Sequence, residues 1–277
     1  MLKIILFCVL TLASVTTHAL DRQAERFVRL ALEVGQHDPD YIDAYLGPAE
    51  WETEAEKNLR SKEAVATAVG ELLAELEALP PARARNADRH LALTRMVRAM
   101  DTRMRMVMGE QFSFAEEARL IYDVEVPDYD FATFDRALAE IDALIPGQGD
   151  LAERVDRFRD SVNLPEDRRD AVVKRAIAEC RARTLKHIEL PADEGFRLEY
   201  ATDKTWGGYN WYQGDNISLM MINLDQPLRI ESVIRLGCHE GYPGHHVWNV
   251  LVENELLKKN GWIEYSVYPL FSPFALM

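Results

Sequence analysis

A mainly α fold, a multi-helix domain with a small β-strand element beside a motif-bearing helix, is predicted by three observations. Apolar residues recur at helical spacing from Asp21 to His187, aromatic and β-prone runs follow Pro191, and a dense histidine cluster sits on the helix after them. The predicted organisation is a signal peptide over 1–19, a helical domain over 20–190, and an aromatic loop, strand and metal-motif region over 191–277. Ala24, Phe27, Val28, Leu30, Ala31 and Val34 mark the first helical face. Val65, Val69, Leu72, Leu73, Leu76 and Leu79 mark another, ended by Pro80-Pro81. Further helices are predicted over 87–107, 113–122, 131–144, 150–162 and 166–188, punctuated by Pro146-Gly147 and Leu164-Pro165.

The N-terminus predicts export. Lys3 supplies a basic start, Ile4 to Ala13 an apolar run, and Thr17-His18-Ala19 a small-residue cleavage site. The run is shorter than the roughly 20 residues of a membrane span, so a periplasmic or secreted protein with no stable span after cleavage is expected. The chain has 277 residues and a formal net charge of -14, and loss of 1–19 removes only Lys3, leaving 258 residues at -15. So acidic a surface repels polyphosphate and excludes nucleic acid as a partner. Cys180 and Cys238 remain; oxidising surroundings permit a disulfide, but two cysteines in a chain this long do not suggest a disulfide scaffold. They are read as two separate buried thiols.

After Pro191, Phe196 to Ala201 reads as a strand, Trp206 to Gly214 as a glycine-bearing aromatic loop, and Asn216 to Leu224 (NISLMMINL) as a β-prone apolar strand. A helix starts near Leu228 and runs toward the motif. A strand beside such a helix can accept an extended peptide as an added strand, although an ordinary buried strand fits NISLMMINL as well.

The motif is Cys238-His239-Glu240-Gly241-Tyr242-Pro243-Gly244-His245-His246-Val247-Trp248. Catalytic zinc takes three protein ligands and leaves a position for water, and two histidines at i and i+4 share a helix face, with the Glu after the first as general base. Here the second histidine arrives at i+6, which an unbroken helix places about 120° around and roughly 9 Å along the axis. Pro243 removes a helical donor and Gly244 admits conformations closed to other residues. Two inserted residues can therefore bulge out and return His245 to the place of i+4. The competing reading is that Pro-Gly ends one helix and His245-His246 cap the next. His187 reads as a helix C-terminal residue favourable to the dipole, and His37 and His90 carry no constellation.

These residues resemble the bacterial domain of unknown function 885 family, gluzincin-like proteins with an HExxPGH motif, mostly helical and commonly exported. The matching pieces are His239 to His246, Tyr209-Asn210-Trp211-Tyr212 with Gly214, Ile222-Asn223-Leu224, and Val267 to Pro273. The resemblance implies zinc held by His239 and His245, Glu240 as the catalytic base, and a peptide or peptide-like substrate bound near Tyr209, Trp211, Tyr212 and Asn223. It also implies a third, acidic ligand a few residues beyond Ser272-Pro273, where the sequence reads Phe274-Ala275-Leu276-Met277. The expectation is thus a metallopeptidase-like protein, incomplete at its C-terminus and impaired for want of that ligand. The alternative is a non-catalytic helical binding or structural protein with a relic metal site. Glu253, Glu255 and Glu264 are the local carboxylates considered as substitutes, Glu264 being the better placed if the loop after Gly261 folds back.

Overall fold

The computed structural model describes residues 2–79 and 85–276, with side chains described over 20–79 and 87–275. The predicted break at Pro80-Pro81 lies outside the described residues. The fold is mainly α. In chain order it comprises α1 (Leu2–His37), β1 (Ile42–Tyr45), α2 (Ala49–Lys57), α3 (Lys62–Ala78), α4 (Arg85–Val107), α5 (Phe114–Tyr122), α6 (Phe131–Leu144) and α7 (Leu151–Asp160). There follow α8 (Arg169–Thr184), β2 (Gly195–Ala201), β3 (Gly208–Tyr212), β4 (Ile217–Asn223), α9 (Ile230–Leu236), α10 (His245–Leu251) and β5 (Val267–Pro269). Among the described residues no helix is long and apolar enough to cross a membrane.

The chain forms two compact units, Met1–Val126 with Asn254–Met277, and Pro127–Glu253. The change of character after Pro191 therefore falls inside the second unit, which also contains α6 to α8. The first unit is built on the apolar faces read from the sequence. Phe27, Val28, Ala31 and Val34 of α1 meet Val65, Val69, Leu72 and Leu76 of α3 and Leu93, Val97, Met100 and Met104 of α4, all fully buried. Each large aliphatic or aromatic side chain so buried contributes roughly 1.5–3 kcal/mol. Ser113 and Glu116 close a reciprocal capping box at the start of α5. A small sheet absent from the sequence reading pairs β1 antiparallel with β5, which ties the last segment to the first. Beyond it Ser272 accepts from the Phe274 N–H at 3.1 Å and opens a 3-10 turn over Pro273–Leu276, as serine favours at an N-cap and proline at the first position after it.

In the second unit α8 and α9 pack Val173, Ala176, Ile177, Val233 and Leu236 against Met220 and Ile222 of a three-stranded sheet. The strand order is β2-β4-β3, with β2 parallel and β3 antiparallel to β4. NISLMMINL is thus the central strand, buried as one of its two sequence readings required. The two edges beside it are β2 and β3, and the sequence reading had placed β3 in a loop. Helix α6 has the amphipathic spacing predicted, yet none of its residues is buried, and Phe131 and Leu144 stand 82% and 79% exposed.

Cys180 and Cys238 are joined, with Cα atoms 5.5 Å apart. This corrects the expectation of two separate thiols. The reason is tertiary: α8 packs directly on the turn that carries the motif, a proximity that a sequence separation of 58 does not reveal.

Candidate functional site

The helix that begins as α9 widens over Gly237–Gly241 into a π-helical turn, a feature frequent at functional sites. Tyr242 closes it, its N–H donating to the Gly237 carbonyl at 3.3 Å, and then leaves the helix in an extended conformation. The Gly244 N–H next donates to the Cys238 carbonyl at 2.9 Å. That bond reaches back six residues where a helix reaches back four, so the two inserted residues are looped out and the ladder resumes with α10. His245 consequently returns to His239, the ring centres 4.7 Å apart and the planes nearly perpendicular. Gly244 is required by space: a Cβ there would lie 1.7 Å from the His239 carbonyl oxygen and 2.5 Å from that of Cys238.

Glu240 is 6% exposed, and burial pushes its carboxyl above the usual range against the opposing pull of His239 and Arg235. Edge strand β3 runs beside it. A Cβ on Gly208 would approach Glu240 Oε1 to 3.3 Å and the Leu236 side chain to 2.6 Å, so glycine permits the strand to lie this close. Asn210 of the same strand donates from Nδ2 to the Glu240 carbonyl at 2.7 Å.

The residues assigned to substrate divide. Trp211 is 45% exposed and Tyr209 half-buried against Trp206, with ring centres 5.8 Å apart. Tyr212 is buried and its hydroxyl donates to Glu253. Asn223 is buried too, donating to the carbonyls of Lys204 and Trp206 at 2.9 Å each and accepting from the Asp225 N–H at 3.0 Å. It shapes the loop before β3.

Behind the motif lies a polar network that the sequence reading missed. His246 is fully buried between Ser218, whose Oγ is 2.9 Å from Nδ1, and Glu194, whose Oε2 is 3.0 Å from Nε2. Glu194 also receives the Tyr242 hydroxyl on Oε2 at 2.6 Å and Arg181 on Oε1 at 2.6 and 3.0 Å. Burial alone would push the Glu194 carboxyl up, but the bonds from Tyr242, His246 and Arg181 hold it below the usual range. Burial pushes His246 down despite Glu194 beside it. An ionised carboxylate and a neutral imidazole fix the tautomer, so Nε2–H donates to Glu194 and Nδ1 accepts the Ser218 proton. Ser218, His246 and Glu194 thus share the connectivity of a hydrolase triad. The serine is 0% exposed, however, and the carboxylate already answers Arg181 and Tyr242. A nucleophile must reach substrate, and this arrangement braces the motif instead. The doubled histidine was the one sequence signal for it.

The carboxylates considered as substitute ligands are engaged elsewhere. Glu253 accepts the Tyr212 hydroxyl and the N–H groups of Asp215 and Asn216, at 3.1 and 3.3 Å, and so caps the β3–β4 turn. Glu255 pairs with Lys259 at 2.5 Å. Glu264 folds back into the first unit, where Arg89 grips both of its oxygens at 2.7 and 3.0 Å. Among the described residues no group of three or more His, Cys, Asp or Glu is arranged to hold a metal ion. Comparison of the chain with protein-family models, with curated proteins and with solved structures gave no match.

Proposed function

We propose that this chain is an exported, zinc-dependent metallopeptidase-like hydrolase of the kind its resemblance to the domain of unknown function 885 family implies. The observation that carries the reading is the pairing of His239 and His245 across a break that would otherwise separate them. Two imidazoles bound to one tetrahedral metal at about 2.0–2.1 Å per nitrogen hold their ring centres about 5 Å apart, close to the 4.7 Å between these two rings. The two rings fit as ligands. Zinc, when bound, supplies a Lewis acid that polarises a carbonyl and makes a water acidic near neutral pH.

The chain's own residues supply the rest. Glu240, its proton affinity raised by burial, takes the proton of the attacking water and returns it to the leaving amine. Edge strand β3, pressed against Glu240 through Gly208, lies at a margin of the sheet, the place where an extended peptide adds as a further strand. Trp211 and Tyr209, alternating outward from that strand, contact its side chains. Export is part of the reading, supported by the N-terminal pattern of Lys3, Ile4–Ala13 and Ala19 and by a disulfide of the kind that persists in oxidising compartments.

The test is Glu240→Gln. It is expected to retain the zinc content of the unmodified protein while peptide cleavage falls to background, as removal of an essential general base should do. Cleavage at the unmodified rate would refute the assignment of the base. A second reading, a non-catalytic binding protein with a relic site, is favoured by the donor count: two histidines, and no third donor grouped with them among the described residues. Elemental analysis separates the two together with a peptidase assay. Near-stoichiometric zinc lost in the His239→Ala, His245→Ala double variant, with metal-dependent cleavage, supports the hydrolase; zinc without cleavage supports the relic.

A further inference from the structure

We propose that Glu194 is the positioning residue of the metal motif, a single buried carboxylate that holds both ends of the Pro-Gly break in register so that His239 and His245 face one ion. The inference rests on the zinc reading given above.

Its ground is the address of each partner. Tyr242 is the last residue before Pro243, and His246 follows His245 directly. Both donate to the same oxygen, Oε2, at 2.6 and 3.0 Å. The break from 242 to 246 is therefore pinned at each end to one atom. The other oxygen takes Arg181 of α8, the helix that also carries Cys180 of the disulfide to Cys238. Glu194 itself stands just before β2, and its side chain is 0% exposed. Phe196 packs on Tyr242 and on His246, with ring centres 5.6 and 5.9 Å from theirs. Both ring nitrogens of His246 are engaged, by Glu194 and Ser218, so His246 is not a spare ligand. It fixes the first turn of α10, and His245 takes its position from that turn.

Replacing Glu194 by Gln keeps the volume but removes the charge and puts an N–H₂ where an acceptor is needed. Donors on Tyr242, His246 and Arg181 then compete for one oxygen. Outer-sphere partners of this kind typically alter metal affinity about 10- to 100-fold.

The experiment measures zinc affinity by competition with a chromophoric chelator for the unmodified protein, Glu194→Gln, Tyr242→Phe and a control, Leu72→Ala. The control lowers stability through the first unit's core, and unfolding of every variant is followed in urea. The visible spectrum of the cobalt-loaded proteins reports ligand geometry. Glu194→Gln is expected to weaken zinc binding 10- to 100-fold and to alter the cobalt bands. Tyr242→Phe, which deletes one of the pins, should do the same to a smaller extent, and it carries the test if Glu194→Gln does not fold. Unchanged affinity and spectra in the folded variants would overturn the positioning role. An equal loss in Leu72→Ala would overturn it too, by showing that only stability had been lost. If instead the unmodified protein holds no more zinc than the His239→Ala, His245→Ala variant, the metal reading fails and the positioning role with it.

Discussion

At Gly244 a hydrogen atom decides whether the motif can form. The segment must pass so close to the end of the preceding helix that its N–H bonds the Cys238 carbonyl, and a methyl group would overlap the His239 carbonyl oxygen at 1.7 Å. Backbone on both sides leaves nothing flexible to yield. Gly244→Ala is therefore expected to cost at least the ~1–3 kcal/mol typical of overpacking and to abolish zinc retention; retention by a folded variant would show that the break can close another way. Glu194 gives the second prediction at this scale. Its pKa in the fold is held below the ordinary value of 4.5, so the folded state gains fully from it above that pH. The gain disappears as pH falls through the lower folded value. Urea midpoints measured across this range should fall on acidification, and the part due to Glu194 is the difference from Glu194→Gln, which should narrow toward acid pH. A constant difference would mean that the carboxylate is not ionised in the fold.

Elements, more than residues, explain why one expectation failed. The cysteines looked separate because two of them in so long a chain do not suggest a disulfide scaffold, yet α8 lies on the π-helical turn and brings the pair within bonding reach. Closing a loop across their sequence separation of 58 is worth about 4 kcal/mol in the chain-entropy account. Reduction under mild conditions should lower stability by about that amount, read from urea unfolding, and loosen the turn that carries His239. A loss below about 1 kcal/mol would mean that packing of α8 alone secures the motif. Strand β3 teaches the same lesson in the other direction. Gly208, Tyr209, Asn210, Trp211 and Tyr212 read as a loop because glycine and aromatics suit packing as well as pairing; β4 beside it, with the residue register Gly208 to Ile222 through Tyr212 to Ser218, makes it a strand. Asn223 and Tyr212 are likewise absorbed into holding the loops at its two ends.

For the whole molecule, the return of the chain to its first unit is the feature with most consequence for stability. Arg89 and Glu264, 3% and 1% exposed, form a buried pair with both guanidinium–carboxylate bonds made, and Asp21 takes a further donor. Removing one member of a buried pair costs about 3–5 kcal/mol when the other charge is left uncompensated, and Asp21, which still holds Arg89 Nη1 at 2.6 Å, places Glu264 at the low end of that range. Glu264→Ala should lower the unfolding free energy read from urea titration by about 3 kcal/mol; a loss under about 1 kcal/mol would show that water reaches Arg89. The helical faces of α1, α3, α4, α5, α7 and α8, the strands β2 and β4, and the HExxPGH spacing were all legible because periodicity, caps and proline act over a few residues. Local sequence by itself determined a mainly α chain and the need for a break between His239 and His245. Only the tertiary structure decided that β3 forms the sheet edge, that Cys180 joins Cys238, that Glu264 serves Arg89, and that Glu194 meets Tyr242 and His246. Each of those depends on which elements lie within a few ångströms of one another, and the burial that makes such contacts strong exists only after the chain has folded.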